Sequence, residues 1–418
     1  MNAPMGNRGS AVSEERAGES PGAGFGWLSP LFSGMVKRFD RGFVAGSLEA
    51  TLPDGSRRML GGRGDGPAAA IVVRSWRALL RLVMSGSAGW YEGWARGEWM
   101  SPDPVQLFAL FSRNRVTLAQ AARAKGLSLL ARRFAHWLRR NHREGARRNI
   151  EFHYDLGNDF YALWLDAGMT YSSAIYADPG QSLAEAQAAK LDAMLRRTAT
   201  RPGETILEIG CGWGSFAEAA GCAGRKVHGI TLSKEQKAWA EARIARAGIT
   251  GVDFALTDYR DVTGTYDAVA SIEMVEAVGQ EYWPHYLGGI ARALKPGGRA
   301  AIQYISFDDA LFEDYAANVD FIQTHIFPGG LLISENRFRA IAEANGLRWT
   351  DRAAFGASYA ETLRQWRINF DAAVAGGRLP RNFDRKFIDL WRYYLMYCEG
   401  GFRGGGIDVA QVTLVKGT

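Results

Sequence analysis

The stretch Thr205-Ile-Leu-Glu-Ile-Gly-Cys-Gly-Trp-Gly-Ser-Phe-Ala-Glu-Ala-Ala220 decides the fold. Thr205 to Ile209 has the length and composition of a buried strand, and Ser215 to Ala220 those of a helix. Between them, glycines at 210, 212 and 214 let the backbone turn sharply and bring its N–H groups against a ligand. Outside the carboxyl end of a strand is where open α/β sheets bind nucleotides. The loop lacks the Lys-Ser/Thr ending of a phosphate-cradling P-loop, and its Gly-x-Gly-x-Gly spacing departs from the dinucleotide fingerprint. On this stretch alone a purely structural turn stays open.

The order of elements that follows narrows the reading. Lys226-Val-His-Gly-Ile-Thr231 reads as a second buried strand, with Ser233 as a helix N-cap and Gln236 at the capping-box position. Val252 to Leu256, Tyr266 to Ile272 and Arg299 to Ile305 read as further strands, the last after a helix ending at Leu294-Lys-Pro-Gly-Gly298. Strands alternating with helices through short connections predict a parallel, doubly wound sheet. The polar residues Glu208, Thr231, Asp258, Glu273 and Glu276 then fall at or just after strand carboxyl ends, where such a sheet has its crevice. The glycine loop in this setting matches the S-adenosylmethionine (SAM) loop of Rossmann-like methyltransferases.

Composition bounds the rest. A chain of 418 residues with 47% hydrophobic content buries a large core and suggests two or three domains. Cys211, Cys222 and Cys398 form no CxxC or metal-ligand pattern, which fits a reducing, cytoplasmic setting with neither a disulfide framework nor a metal site. Residues 1–26, rich in Gly, Ser, Ala and Glu without an apolar stretch, read as a disordered tail. No uninterrupted apolar run approaches the roughly 20 residues of a spanning helix, so membrane contact is expected to be peripheral.

The net charge of +6 conceals an asymmetry. From Arg113 to Arg148 eleven basic residues face Glu144 alone, a local +10 that leaves −4 for the remainder. Leu129, Leu130, Phe134, Trp137 and Leu138 lie among them. A basic helix with aromatic residues on its apolar side suits an anionic membrane surface. A linker helix packed on the catalytic domain with its arginines solvated is the other reading, and both stay open. Nucleic acid is disfavoured by the apolar content and the lack of a recognisable module.

Before this 112–150 linker, residues 27–111 read as a small α+β domain. Ser47 to Leu52 and Arg57 to Leu60 form a hairpin around Pro53-Asp54-Gly55, Ala69 to Val73 another strand, and Trp76 to Val83 an amphipathic helix. Trp90, Trp94 and Trp99 read as core for the most part, with a substrate-facing role as the alternative.

These residues carry a family resemblance. Gly89-Trp-Tyr-Glu-Gly-Trp94, Phe152-His-Tyr-Asp-Leu-Gly-Asn-Asp-Phe-Tyr161, Thr170-Tyr-Ser-Ser173, the glycine loop, Gly229-Ile-Thr-Leu-Ser233, Ser271-Ile-Glu-Met-Val-Glu-Ala-Val-Gly279, Ile326-Phe-Pro-Gly-Gly330 and Tyr393-Tyr-Leu-Met-Tyr-Cys-Glu-Gly-Gly-Phe402 resemble the cyclopropane-fatty-acyl-phospholipid synthases. The resemblance runs from the small domain to the C-terminus. It implies a Rossmann-like SAM methyltransferase domain over 151–418 with helical additions. The implied activity is methyl transfer from SAM to the double bond of an unsaturated phospholipid acyl chain, ending in a cyclopropane ring.

Position by position, the resemblance assigns SAM contacts to Tyr154, Tyr171, Ser172, Gly210, Gly212, Thr231, Leu232, Ser233, Gln236, Asp258 and Tyr259, with Asp258 at the adenine end. Thr231 stands where many SAM enzymes carry a carboxylate. The family's base is a bound bicarbonate ion, and its holders correspond to Ser173, Glu276, Gln303, the backbone N–H of Ile305, and Tyr359. Ser173 and Gln303 replace a cysteine and a histidine; both can donate, but neither supplies imidazole proton chemistry. Glu273 has equal claim to a structural role, capping the next helix.

The implied partners are a phospholipid bilayer surface, the unsaturated acyl chain and a homodimer mate, at the inner face of the membrane. A methylene- or methyl-branched product on the same substrate, with a partner reductase, is the nearest alternative. A small-molecule methyltransferase and a catalytically silent lipid-binding protein are the others.

Overall fold

The computed structural model describes residues 29–122 and 156–418. The expected tail, Tyr154 and the basic residues from Arg123 to Arg148 lie outside the described residues.

The first unit is built on a four-stranded sheet, order β2-β1-β3-β4, of β1 Ser47–Thr51, β2 Arg57–Gly61, β3 Ala68–Val73 and β4 Trp99–Met100. β1 and β2 pair antiparallel around a turn in which Asp54 accepts from the Ser56 backbone N–H and hydroxyl, at 2.9 and 2.6 Å. Alternation along β1 puts Leu48 and Ala50 inside. Helices α1 (Ser29–Gly42), α2 (Trp76–Ala95), α3 (Pro104–Arg113) and α4 (Arg115–Ala122) complete the unit. Ser75 and Asp103 cap α2 and α3 by accepting from the Arg77 and Gln106 backbones, and Pro104 sits in the first turn of α3, where its missing N–H costs nothing. Helix α2 runs past the expected stop at Val83, with a kink at Gly86, and takes in the tryptophan cluster. Trp90 and Trp99 stack with centroids 4.4 Å apart, and the Trp99 indole donates to the Trp90 carbonyl at 2.8 Å, so these rings are core. The stretch 112–122, read as the start of the linker, is the end of α3 plus α4. There the Thr117 hydroxyl donates to the Gly42 carbonyl at 2.6 Å and Arg115 pairs with Asp308 at 2.6 Å.

The second unit contains the large sheet, with the path β11-β12-β9-β8-β5-β6-β7. Its strands are β5 Thr205–Ile209, β6 Lys226–Thr231, β7 Val252–Leu256, β8 Tyr266–Ile272, β9 Leu294–Phe307, the short β10 Ile333–Ser334 beside β9, β11 Leu347–Ala354 and β12 Ile407–Lys416. β5 pairs in parallel with both β6 and β8, so the strand order reverses beside it and the glycine loop opens into the crevice at that point. The crossover helices between β5 and β9 are α7 (Ser215–Cys222), α8 (Lys234–Ala247) and α9 (Trp283–Ala293); before β5 come α5 (Asn158–Ala162) and α6 (Leu183–Thr198). Helices α10 (Phe312–Ala317), α11 (Phe321–His325), α12 (Glu335–Ala344), α13 (Gly356–Ala375) and α14 (Arg385–Arg403) follow β9.

The strands read from the sequence, β5 to β9, pair in parallel as expected, while β12, which that reading did not include, runs antiparallel to both β9 and β11. Apolar periodicity reports that a strand is buried and is blind to its direction. Here β12 follows directly on α14 through Gly404-Gly405-Gly406, without a crossover helix to bring it back parallel.

One hydrophobic core joins the two units. Phe108 of α3 and Phe321 of α11 both lie edge-on to Tyr393 of α14, with centroids 5.3 and 4.8 Å away. Glycines let α3 and α14 approach this closely. A Cβ at Gly400 would sit 2.4 Å from the Phe108 Cβ, and one at Gly404 2.4 Å from the Ala109 carbonyl. Gly400→Ala is expected to lower the urea midpoint of the whole chain by an amount worth about 1–3 kcal/mol, as overpacking does. Gly34→Ala, on an exposed helical site where an added Cβ meets nothing within 4 Å, is expected to raise it by up to about 1 kcal/mol. Equal shifts in the two variants would show that close helix approach is not what Gly400 provides.

Candidate functional site

The loop after β5 places Gly210, Gly212 and Gly214 at φ of +81°, +52° and +83°, a region that disfavours side chains. The Gly210 and Cys211 backbone N–H groups donate to the Ile230 carbonyl, each at 3.0 Å, tying the loop to β6. An added Cβ at Gly210 or Gly214 would meet Met274 or Ala240 at 2.9 Å, whereas one at Gly212 meets nothing within 4 Å and projects into open space. That space is a cavity of about 670 Å³. It starts at the glycine loop and passes an aromatic wall of Tyr171, Phe327, Tyr359, Tyr394 and Phe402. It extends to Leu82, Trp90, Phe108 and Phe111 of the first unit.

Among the residues expected to hold SAM, Tyr171, Ser172, Gly210, Gly212, Thr231, Leu232, Gln236 and Tyr259 line the cavity. Thr231 donates to the Gln236 side-chain carbonyl at 2.8 Å and accepts from the Ser233 backbone at 3.2 Å, fixing the turn after β6. Ser233 caps α8 as expected, but Gln236 is turned to Thr231 instead of completing the capping box, and Ser233 does not line the cavity. Asp258 is also absent from the lining: its carboxylate grips Arg260 at 2.6 and 2.8 Å, while its neighbours Thr257 and Tyr259 face the cavity.

Two polar residues of α6 that the sequence reading missed, Lys190 and Gln187, hold Ser172 from behind. Lys190 of α6 is wholly buried, donates to the Ser172 hydroxyl at 2.7 Å and lines the cavity with Glu208. Burial pushes Glu208 up and Lys190 down, each to about 8, while their mutual attraction pulls both back toward the charged forms. One Glu208 carboxylate oxygen has no hydrogen-bond partner among the described residues. Gln187, one turn before Lys190, donates to the Ser172 carbonyl at 2.9 Å. The available signal was two polar residues on the stripe Ala186, Leu191, Met194 of an amphipathic helix. An unsatisfied carboxylate oxygen and a backbone open at Gly212 fit a ligand that carries a cation and needs close approach, as SAM does.

Beyond the loop, Glu273 directly follows β8 with φ +48°, strained for a non-glycine residue. Its carboxylate gathers three donors from distant parts of the chain. One oxygen accepts from the Ser173 backbone N–H at 2.8 Å and the Gln303 amide at 2.7 Å; the other accepts from the Tyr359 hydroxyl at 2.7 Å. Gln303 is held in turn by Gln411 of β12 at 3.0 Å. Glu276 accepts from the Ile305 backbone N–H at 2.5 Å, and its second oxygen has no partner among the described residues. Burial, then the neighbouring Glu273, pushes Glu276 up to about 8. Burial raises Glu273 too, but its three donors oppose the shift, and Lys190 adds to them. Glu276, raised to about 8 beside Glu273, is the member of the pair that holds its proton near neutral pH.

The five residues matched to a bicarbonate site are thus brought together, but around a side chain of the protein. The Ser173 hydroxyl donates to the Ala174 carbonyl, the Ser173 N–H, Gln303 amide and Tyr359 hydroxyl are taken by Glu273, and the Ile305 N–H is taken by Glu276. Ser173 and Gln303 do not line the cavity; Glu273, Glu276, Ile305 and Tyr359 do. Each of these donors is thus met by an acceptor of the protein itself.

Comparison with known proteins agrees with this geometry. The sequence profile of the mycolic acid cyclopropane synthetase family matches residues 141–412. The tuberculostearic acid methyltransferase UfaA1 of Mycobacterium tuberculosis is 37% identical over 376 residues, 85% of each chain. The cyclopropane-fatty-acyl-phospholipid synthase of Escherichia coli is 35% identical over 267 residues, 63% of this chain and 67% of that one. The structure of the cyclopropane synthase MmaA2 from Mycobacterium tuberculosis superposes with a TM-score of 0.61 at 28% identity, over 65% of this chain and 98% of that one. The mycolic acid cyclopropane synthase CmaA1, solved with S-adenosylhomocysteine and CTAB, gives a TM-score of 0.60 at 30% identity with the same coverage. With that profile matched across most of the second unit and a relative so similar over most of its length, this chain belongs to the mycolic acid cyclopropane synthetase family and is a SAM-dependent methyltransferase.

Proposed function

We propose that this enzyme methylates the double bond of an unsaturated acyl chain carried by a membrane phospholipid, and that the product is a cyclopropane. The observation that supports this most is the single cavity running from the glycine loop, past two buried carboxyls, into an apolar passage walled by both units. A passage of that character suits a hydrocarbon tail and offers little to a small polar acceptor. SAM supplies an electrophilic methyl group when bound; Gly210, Gly212, Thr231, Gln236, Tyr171 and Tyr259 would hold it.

An alkene is a weak nucleophile, so the protein's part is to align it with that methyl group and exclude water. Transfer of that methyl group to the alkene would leave a carbocation on the acyl chain. Aromatic faces stabilise such a cation through their quadrupole. Tyr171, Phe327, Tyr359, Tyr394 and Phe402 supply them, the Tyr171 and Tyr394 hydroxyls lying 2.9 Å apart and the Phe402 ring 4.5 Å from that of Tyr359. Ring closure then requires loss of one proton.

A second reading, a methylene- or methyl-branched chain, draws on the 85% overlap with a relative named as a tuberculostearic acid methyltransferase rather than a cyclopropane synthase. There a hydride shift precedes proton loss. Both readings place the substrate in a bilayer. No helix among the described residues is long and apolar enough to cross a membrane, so we propose surface attachment through the basic segment.

Three measurements check these proposals. Lipids from a host lacking acyl-methylating enzymes should gain one CH₂ on expression of the protein. Resistance of the new chains to alkene-directed derivatisation identifies a ring, and reactivity identifies a methylene; no change in the acyl chains overturns both readings. Gly212→Val should abolish SAM binding by calorimetry while circular dichroism stays unchanged, because the new side chain enters the cavity and strains the loop. Neutralising Arg132, Arg133, Arg139, Arg140, Arg147 and Arg148 should weaken binding to anionic vesicles. Wild-type binding should also fall as salt shrinks the Debye length below about 10 Å.

A further inference from the structure

We propose that Glu273 is itself the base of the reaction, its carboxylate occupying the seat that the family resemblance gives to bicarbonate, so that this enzyme needs no exogenous anion. The proposal rests on acyl-chain methylation as the function. Its ground is the fate of the donors. A bicarbonate seat consists of N–H and O–H groups that converge on empty space. Here the Ser173 N–H, Gln303 amide and Tyr359 hydroxyl converge on Glu273 at 2.7–2.8 Å, and the Ile305 N–H is spent on Glu276. A second anion brought to this seat would have to displace these bonds and would lie against another carboxyl group in an apolar cavity.

Three further observations give the carboxylate work to do. Glu273 lines the cavity next to Tyr359 and Phe402, on the wall proposed to face the cation. One of its oxygens accepts two hydrogen bonds, but the other, among the described residues, accepts only that of Tyr359, which leaves a lone pair open to a new proton. Its backbone stands at φ +48°, where glycine would be unstrained and most residues cost about 1 kcal/mol or more. Strain of that kind persists where the side chain is required.

The step balances without another reactant. After methyl transfer the chain carries a carbocation next to the methylated carbon. A C–H bond of the new methyl group breaks, its electron pair forms the third C–C bond of the ring, and the proton passes to the open Glu273 oxygen. The cation is neutralised and the carboxylate becomes a carboxylic acid, which returns its proton to water when the product leaves. In the branched reading the same oxygen takes the same proton after a hydride shift. Glu276, protonated and one turn on, then serves as a neighbouring neutral donor and does not compete for the proton.

The test uses the full-length enzyme with SAM and vesicles of unsaturated phosphatidylethanolamine and phosphatidylglycerol, in CO₂-depleted buffer with and without added bicarbonate. Methylated lipid and S-adenosylhomocysteine are both measured. Wild-type turnover should be the same in the two buffers. Glu273→Gln should lose about 10²–10⁴-fold in both, the range for a removed general base, because the amide fills the seat without accepting a proton. Glu273→Gly, unstrained at this φ, should lose as much in depleted buffer and recover when bicarbonate is added, since three donors are then released to an anion. SAM binding by calorimetry should be retained in both variants. Wild-type turnover that collapses without bicarbonate, or a Glu273→Gln enzyme of full activity, overturns the proposal while leaving acyl methylation intact. A wild type that makes no methylated lipid in either buffer overturns the functional reading and this proposal with it.

Discussion

A carboxylate taken out of water has to be given donors, and the supply of donors to Glu273 organises the centre of this protein. They arrive from three places far apart in the chain: the loop before α6, β9 and α13. Gln303 can offer its amide because Gln411 on the antiparallel β12 holds the other end, and Gln411 is itself gripped by Arg197 of α6 at 3.0 Å. Loss of the β9–β12 pairing would therefore reach the site through two side chains. Lys190 is the buried cation that offsets this acidic cluster, and it also fixes Ser172 at the edge of the SAM cavity. Cofactor site and proton-accepting site thus share one electrostatic balance.

The second constraint is packing. The wall opposite the large sheet is made of rings, and those rings are continuous with the core of the first unit through Phe108, Phe321 and Tyr393. Gly400 and Gly404 bring α3 against α14, and on the same helix Tyr394 and Phe402 face the cavity. The first unit accordingly builds part of the passage itself. Trp90 shows how core and site merge: it stacks on Trp99, and it also lines the cavity. The sequence reading set these two roles against each other, and the structure gives the residue both.

Much of the fold was legible because it rests on local rules. The β1–β2 hairpin follows from a Pro-Asp-Gly turn between alternating strands, and β5 to β9 from apolar runs separated by helices, of which α8 carries the Ser233 cap. The glycine loop announced its place because positive φ at three nearby positions is a backbone requirement that only glycine meets cheaply. The direction of β12 was not legible: Val409, Ala410, Val412 and Leu414 are buried alike whichever way it runs.

By itself the sequence determined the kind of protein: a crevice at the end of β5, a methyl-donor loop, and a family signature that named Glu276, Ile305 and Tyr359. It did not determine what the matched donors hold. Ser173 and Gln303 stand at the family's positions, yet whether they enclose an ion or a side chain depends on where the carboxylate of Glu273 lies, 100 residues from one and 30 from the other. That was decided by the tertiary structure, for a physical reason. Hydrogen-bond donors are assigned by distance and direction across the fold, and in a low-dielectric interior the nearest carboxylate takes them.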